Sequence, residues 1–211
     1  MAVSWSDLFN LTETRLIENV LNYLTYFFLF LWIPVIFFIH ILFLNKNHFS
    51  KIATEQSPYN LLDRRIENEL MPMCEYYGLG LITWAPLAMG VLAGRYKKNE
   101  QNPKNSRAIL RGGFYADRVN ERGIDAGLKL NKIAINLGLT SAQLAVLWVK
   151  HQKGVTAPLI GPRTIKQLKE FIKIIDTSID ESVCELCDQI VPPGSAVADF
   201  HNTAPWMKMR I

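Results

Sequence analysis

The sequence has few cysteines and lacks the patterns of several common protein classes. Its three cysteines among 211 residues cannot form an even set of disulfides, which is typical of a chain in a reducing compartment. The net charge of +4 is spread thinly, and no stripe alternates Lys or Arg with aromatic residues, so nucleic-acid binding is not expected. No Gly-x-Gly-x-x-Gly motif occurs, and the ordinary dinucleotide-binding fingerprint is therefore absent.

Charged residues are also absent from Val20 to Leu44, where nine of the 23 aromatic residues lie. As a helix this segment would span about 37 Å, which is enough to cross a bilayer core of about 30 Å with some tilt. Lys46 and Lys51 follow it, so a spanning segment would leave the rest of the chain in the cytosol. The predicted organisation is a tail at 1–19, a candidate transmembrane helix at 20–44 and a globular part at 45–211.

An alternative reading of the apolar segment stays open. Its residues are drawn largely from amino acids with AT-rich codons, as translated non-coding sequence would supply, and hydropathy alone does not separate this from a true anchor. The predicted location is thus a membrane with a cytosolic globular part if the segment is genuine, and the cytoplasm otherwise.

The globular part alternates between strand-like and helix-like patterns. Strands are predicted at Ile52–Gln56, Leu79–Trp84 and Val155–Ile160, the last two buried on both faces of a parallel sheet. This order predicts an α/β fold with parallel strands. Because three strands leave two open edges, the part is expected to belong to a larger barrel or doubly wound sheet.

Helices are predicted between and after these strands. One begins with Asp63 as its cap and ends at Gly78, and two more span approximately residues 120–137 and 141–151, with a loop from about 90 to 117 before them. Thr140 with Gln143, and Thr164 with Gln167, fit capping boxes. A last short helix follows residue 178.

Four sequence blocks carry a resemblance to a known family: Gln56–Arg64 (QSPYNLLDR), Ile82–Gly90 (ITWAPLAMG), Gly161–Thr164 (GPRT) and Pro192–Gly194 (PPG). Together they resemble the aldo/keto reductase superfamily, most of all its bacterial and potassium-channel β-subunit branch. The resemblance covers about residues 45–211. It implies the C-terminal half of a (β/α)8 TIM barrel, with family strands six to eight, and NADP(H) bound at the C-terminal ends of the strands.

The resemblance implies roles for residues near the nicotinamide and pyrophosphate. Gln56 would hold the nicotinamide carboxamide, and Trp84 would stack on the nicotinamide ring. Backbone groups at Ala85 and Leu87 would meet the pyrophosphate. Ala85 departs from the usual serine of the family, which removes one hydroxyl contact to phosphate. The alternatives from the residues alone are that Gln56 is a strand-end polar residue and that Trp84 is a core aromatic.

Further residues would contact the cofactor phosphates. Arg95 and Arg107 match phosphate-contacting positions, although a solvated basic loop would look similar to the segment around Arg107. The remaining residues of this set are Gly161, Arg163, Gln167 and Glu170. They lie at the start of a helix, whose free N–H groups and positive end suit a 2′-phosphate. Gln167 could instead only complete the capping box, and Phe171 replaces the Asn that faces adenine in the family.

The catalytic residues of the family have no match here. Family members use an Asp, Tyr, Lys and His tetrad, in which Tyr donates a proton to the carbonyl as hydride arrives. All four belong to the N-terminal half of the barrel, so we name no catalytic residue and no metal site. The resulting hypothesis is the cofactor-binding half of an NADP(H)-dependent carbonyl oxidoreductase, inactive alone and acting on a carbonyl substrate only if the other half is supplied.

Two other hypotheses stay open at this point. One is a membrane-anchored, non-catalytic NADP(H)-binding or regulatory module, and the other is a truncated gene product. The Cys184-Glu-Leu-Cys187 motif alone is weak support for a redox or zinc site, because neither a second cysteine pair nor a thioredoxin-like setting accompanies it. Packing of two small side chains on a helix is the favoured interpretation.

Overall fold

The computed structural model describes residues 52–200, and the predicted tail and candidate transmembrane helix lie outside this range. Three strands form one parallel sheet in the order β1 (Thr54–Pro58), β2 (Gly80–Trp84) and β3 (Val155–Pro158). Helices separate the strands, so the α/β class and the parallel sheet are confirmed.

The α-helices of the described range are α1 (Leu70–Tyr77), α2 (Arg107–Arg111), α3 (Phe114–Asp117), α4 (Glu121–Asn136), α5 (Ser141–His151), α6 (Ile165–Ile172) and α7 (Glu181–Ile190). The predictions for α4 and α5 are confirmed. Asn120 accepts the N–H of Gly123 at 2.7 Å, and Thr140 and Gln143 form both hydrogen bonds of a capping box.

Two short helices, α2 and α3, lie inside the stretch predicted as a loop, so that prediction is wrong there. Their four or five residues are too few to show a helical periodicity in the sequence. Ser106, which is fully buried, caps α2 by accepting the N–H of Ile109 at 3.3 Å.

Within residues 52–200, no single helix has both the length and the apolar composition needed to span a membrane. Helices α4 and α5 pass that test only when they are taken together across a bend of 93°.

The sheet buries one face and exposes the other. On β2, Leu81 and Thr83 are fully buried, whereas Ile82 on the opposite face is half-buried. On β3, Thr156 and Ala157 are exposed, so the prediction of strands buried on both faces is wrong. Helices α1 and α5 pack beside β2 and β3, and the described residues leave the face that carries Ile82 largely open.

A buried ionic network replaces the helix cap predicted at Asp63. The Asp63 carboxylate accepts hydrogen bonds from Arg65 at 2.8 and 2.7 Å and from the backbone N–H of Phe200 at 2.7 Å. A 3₁₀ turn at Arg65–Glu67 intervenes, and α1 begins only at Leu70. The carboxylate therefore joins the segment after β1 to the segment after α7, and the predicted capping role is wrong.

The hydrophobic core lies between the buried face of the sheet and the helices α4, α5 and α7. Its members include Leu81 of β2, Leu130 of α4, Leu144 and Trp148 of α5 and Cys187 of α7, all of them fully buried. These contacts fix the positions of the loops that follow β2 and β3.

Candidate functional site

The carboxyl ends of β2 and β3 border a cavity of about 580 Å³. Parallel strands present their carboxyl ends at one edge of a sheet, so the loops that follow them become neighbours. The volume falls within the range of about 300–1,000 Å³ that is usual for small-molecule sites. Three segments line the cavity: the loop after β2, the segment that includes α2, and the loop from β3 into α6.

The first wall is the loop after β2, which has an unusual backbone. Ala85, Ala88 and Met89 have φ angles of +59°, +47° and +58°, in the region that favours glycine. Each such residue costs about 1–2 kcal/mol, and strained residues of this kind concentrate at functional sites. Hydrogen bonds hold the loop, including Ala88 N–H to Ala85 O at 2.9 Å and Gly90 N–H to Leu87 O at 2.8 Å.

The second wall carries three arginines. Arg95 donates from Nη2 to the backbone oxygen of Asn105 at 2.8 Å and to its side-chain oxygen at 2.7 Å, which holds the guanidinium at the cavity. Arg107 and Arg111 lie one helical turn apart on α2, and both line the cavity. Arg111 also donates to the Tyr115 hydroxyl at 3.3 Å.

The third wall is the loop that enters α6. Thr164 accepts the N–H of Gln167 at 3.2 Å, as predicted. The Gln167 side chain, however, accepts the N–H of Arg163 at 2.8 Å rather than that of Thr164. This hydrogen bond is therefore shifted by one residue from that of a standard capping box. The positive end of the α6 dipole and the Arg163 guanidinium thus stand together at the cavity.

The electrostatic character of the cavity follows from this composition. Its lining within the described range includes Arg95, Arg107, Arg111 and Arg163 and no carboxylate. Arginine side chains and free helix N–H groups together suit a ligand with phosphate groups. The same lining contains no Tyr, Lys or His, and we again name no catalytic residue.

The cavity brings together most of the residues named from the sequence. Those that line it are Trp84, Ala85, Leu87, Arg95, Arg107, Gly161, Arg163 and Gln167. Gln56 and Glu170 are not among the lining residues. Gln56 is exposed on β1 beside Ile82, and Glu170 accepts a hydrogen bond from Lys173 at 2.7 Å. The cofactor roles of all these residues stay predictions.

Sequence reasoning missed Asn105, Arg111 and Met89, which also line the cavity. Arg111 could have been found from its position four residues after Arg107, because residues four apart on a helix lie on the same face. That signal requires residues 107–111 to be recognised as a helix. Nothing local marks Asn105, because its role is to hold Arg95 from across a loop.

With this geometry described, comparisons with known proteins identify the family. A sequence model of the aldo/keto reductase family matches residues 39–192, and the chain belongs to that family. It is 32% identical over 157 residues to the uncharacterized oxidoreductase YrpG of Bacillus subtilis, a match that covers 74% of this chain and 46% of that protein.

The chain is also similar to a second curated relative and to a solved structure. It is 39% identical over 127 residues to a probable voltage-gated potassium channel β-subunit of Oryza sativa, covering 58% of this chain and 38% of that one. The solved glycerol dehydrogenase of Gluconobacter oxydans shares the fold, with a TM-score of 0.56 at 24% identity over 75% of this chain and 48% of that chain. The matched region therefore spans less than half the length of these relatives.

Proposed function

We propose that residues 45–211 are the NADP(H)-binding half of an aldo/keto reductase barrel, which serves carbonyl–alcohol hydride transfer when the half with the catalytic tetrad is present. The observation that carries this proposal is the electropositive cavity at the ends of β2 and β3, with four arginines and the α6 N-terminus around it. When bound, the cofactor would supply or accept the hydride. The arginines and loops around the cavity would bind and orient it.

The phosphates are the part of the cofactor that this chain is best equipped to hold. Arg163 and the α6 N-terminus would take the 2′-phosphate, because a guanidinium and free backbone N–H groups both donate to its oxygens. Arg95, already oriented by Asn105, and the Arg107–Arg111 pair would meet further phosphate oxygens. Arg95 is held by Asn105 before binding, which lowers the entropy cost of ordering its side chain.

The nicotinamide end would lie near the end of β2. Trp84 is half-buried there and offers a ring face for stacking, and the strained backbone at Ala85 shapes the adjoining loop. Gln56 lies on the exposed face of the neighbouring strand, in register with Ile82. For Gln56 to hold the carboxamide of the nicotinamide, the cofactor would have to extend across that face of the sheet.

The open surfaces of the described range support a partial barrel. The sheet face that carries Gln56, Ile82 and Ala157 is only partly covered, and β1 and β3 form the two edges of the three-stranded sheet. Ile165 and Ile172 on α6 are exposed as well. Apolar surface and unpaired strand edges of this kind suit the packing of further strands and helices.

Titration of the full chain with NADPH and NADH, followed by cofactor fluorescence, tests the proposal. The Arg163→Ala variant should weaken NADPH binding about 10-fold or more, since hydrogen bonds to charged groups contribute about 1.5–3 kcal/mol, and should affect NADH less. Arg122→Ala is the matched control, because Arg122 is exposed on α4 and does not line the cavity. Equal losses for both cofactors, or no binding to the parent chain, would contradict the assignment.

A second candidate function is a non-catalytic NADP(H)-binding regulatory module anchored to a membrane. The similarity to the rice potassium-channel β-subunit favours it. Two measurements on the same preparation separate the candidates: NADPH oxidation with a panel of aldehydes and ketones, and retention in membranes after carbonate extraction. Cofactor binding with membrane retention and no turnover supports the module, whereas carbonyl-dependent oxidation supports the reductase.

A further inference from the structure

A second cluster of reactive side chains lies outside the cavity, where the end of α5 meets the start of α7. His151 is the last residue of α5, while Glu181 and Cys184 lie in the first turn of α7. His151 Nε2 is 3.3 Å from Glu181 Oε2, and the possible ligand atoms of the three residues all lie within 4.8 Å of one another. The proposed cofactor function uses none of these residues.

The spacing is close to that of a tetrahedral zinc site. Zinc–nitrogen and zinc–oxygen bonds of about 2.0–2.2 Å and a zinc–sulfur bond of about 2.3 Å place neighbouring ligand atoms roughly 3.3–3.6 Å apart. The His151–Glu181 distance already has this value. Atoms that are now up to 4.8 Å apart need to approach by about 1.2 Å at most, and the His151 and Glu181 side chains, which are 32% and 80% exposed, have room for this adjustment.

We propose that His151, Glu181 and Cys184 bind a zinc ion that fastens the start of α7 to the end of α5, with water as the fourth ligand. One imidazole nitrogen, one carboxylate and one thiolate are donors that zinc accepts, and this mixed set is poorly suited to Mg²⁺ or Ca²⁺. On binding, the Cys184 S–H bond breaks, the sulfur–zinc bond forms and the proton goes to solvent.

The charges around the cluster are compatible with a cation. The C-terminal carbonyl groups of α5 carry partial negative charge next to His151. The nearby cationic side chains are engaged elsewhere. Lys150 donates to the backbone oxygen of Thr177 at 3.2 Å, and Lys153 pairs with Glu75 at 3.2 Å. Arg64, whose charge acts on Cys184, pairs with Glu67 and Asp188, each at 2.6 Å.

The second cysteine of the Cys-x-x-Cys motif plays a different part. Cys187 is fully buried in the core, and burial raises the pKa of its thiol to about 12. Cys184, which is 5% exposed, lies at the edge of the core, and its sulfur is within 4.8 Å of the ligand atoms of His151 and Glu181.

Cobalt substitution of the full chain tests this site independently of any activity. Co²⁺ should bind with one equivalent and produce thiolate-to-cobalt charge-transfer absorption, which Zn²⁺ then removes by displacement. Cys184→Ser should abolish the absorption, and His151→Ala and Glu181→Gln should weaken Co²⁺ binding at least 10-fold. Cys187→Ala, a change three residues along the same helix, should leave the absorption intact.

Cys74 is a core residue like Cys187 but lies on another helix, so Cys74→Ala shows whether loss of a buried thiol elsewhere in the core changes the absorption. The proposal is overturned if one equivalent of Co²⁺ produces no thiolate band, or if the band survives Cys184→Ser. Co²⁺ binding without a thiolate contribution would leave only His151 and Glu181 as protein ligands, and that result also overturns the proposal.

Discussion

Replacing Asp63 with alanine tests the buried network that joins the segment after β1 to the segment after α7. The Asp63 carboxylate, 3% exposed, accepts two hydrogen bonds from Arg65 and one from the backbone N–H of Phe200. The Asp63→Ala change leaves the Phe200 N–H without this acceptor and removes one of the two carboxylates that face Arg65. Both consequences destabilise the native state.

The magnitude follows from the burial of these groups. An unsatisfied buried N–H costs about 1–3 kcal/mol, and breaking a buried ion pair from one side costs about 3–5 kcal/mol. Arg65 retains Asp199 at 2.6 Å, so the two effects do not add in full. We expect a loss of about 3–5 kcal/mol in the free energy of unfolding, against a total of roughly 5–15 kcal/mol for a native domain.

Urea unfolding of the full chain, followed by circular dichroism, measures this loss. Asp63→Asn keeps one acceptor oxygen and should lose about 1.5–3 kcal/mol. The control is Glu75→Gln, which breaks the pair between Lys153 and Glu75, whose side chains are 88% and 61% exposed, and should lose about 1 kcal/mol or less. If Asp63→Ala lost no more than this control, the network would not hold the two segments together.

Two further predictions concern packing and titration. Gly127→Ala should lower the free energy of unfolding despite the helix propensity of alanine, because the added Cβ would lie 2.8 Å from the Val91 backbone oxygen. Gly161→Ala is the control and should not lower it, because a Cβ there meets nothing within 4 Å. A Gly127→Ala variant more stable than the parent chain would refute this packing. Burial raises the pKa of the Cys187 thiol to about 12, so the native state binds this proton more tightly than the unfolded chain. The resulting stability is present below about pH 9 and is lost as the pH rises toward 12, which urea unfolding across this range measures. If the free energy of unfolding of Cys187→Ala fell with pH as steeply as that of the parent chain, the prediction would be contradicted.

Local sequence signals predicted the elements that local interactions define. Helices α4 and α5 agree with their predicted ranges to within a residue, because Asn120 and Thr140 cap them and their apolar residues recur at helical spacing. The helices α2 and α3 were missed, since a helix of one turn depends on contacts with the rest of the fold.

The candidate site was predictable in part, through the resemblance of short blocks to a known family. That resemblance located Trp84, Arg95 and Arg163 at loops that the structure brings to one cavity. It could not reveal that Asn105 holds Arg95, or that Gln167 accepts the N–H of Arg163. Such hydrogen bonds depend on where separate loops meet in space.

The sequence by itself determined the α/β order, the ends of α4 and α5 and the family, because these depend on propensity, capping and ordered motifs along the chain. Only the tertiary structure decided which face of each strand is covered, the partners of Asp63 and the meeting of His151 with Cys184. Burial and long-range contacts are properties of packed neighbours, and residues far apart in sequence acquire them only when the chain folds.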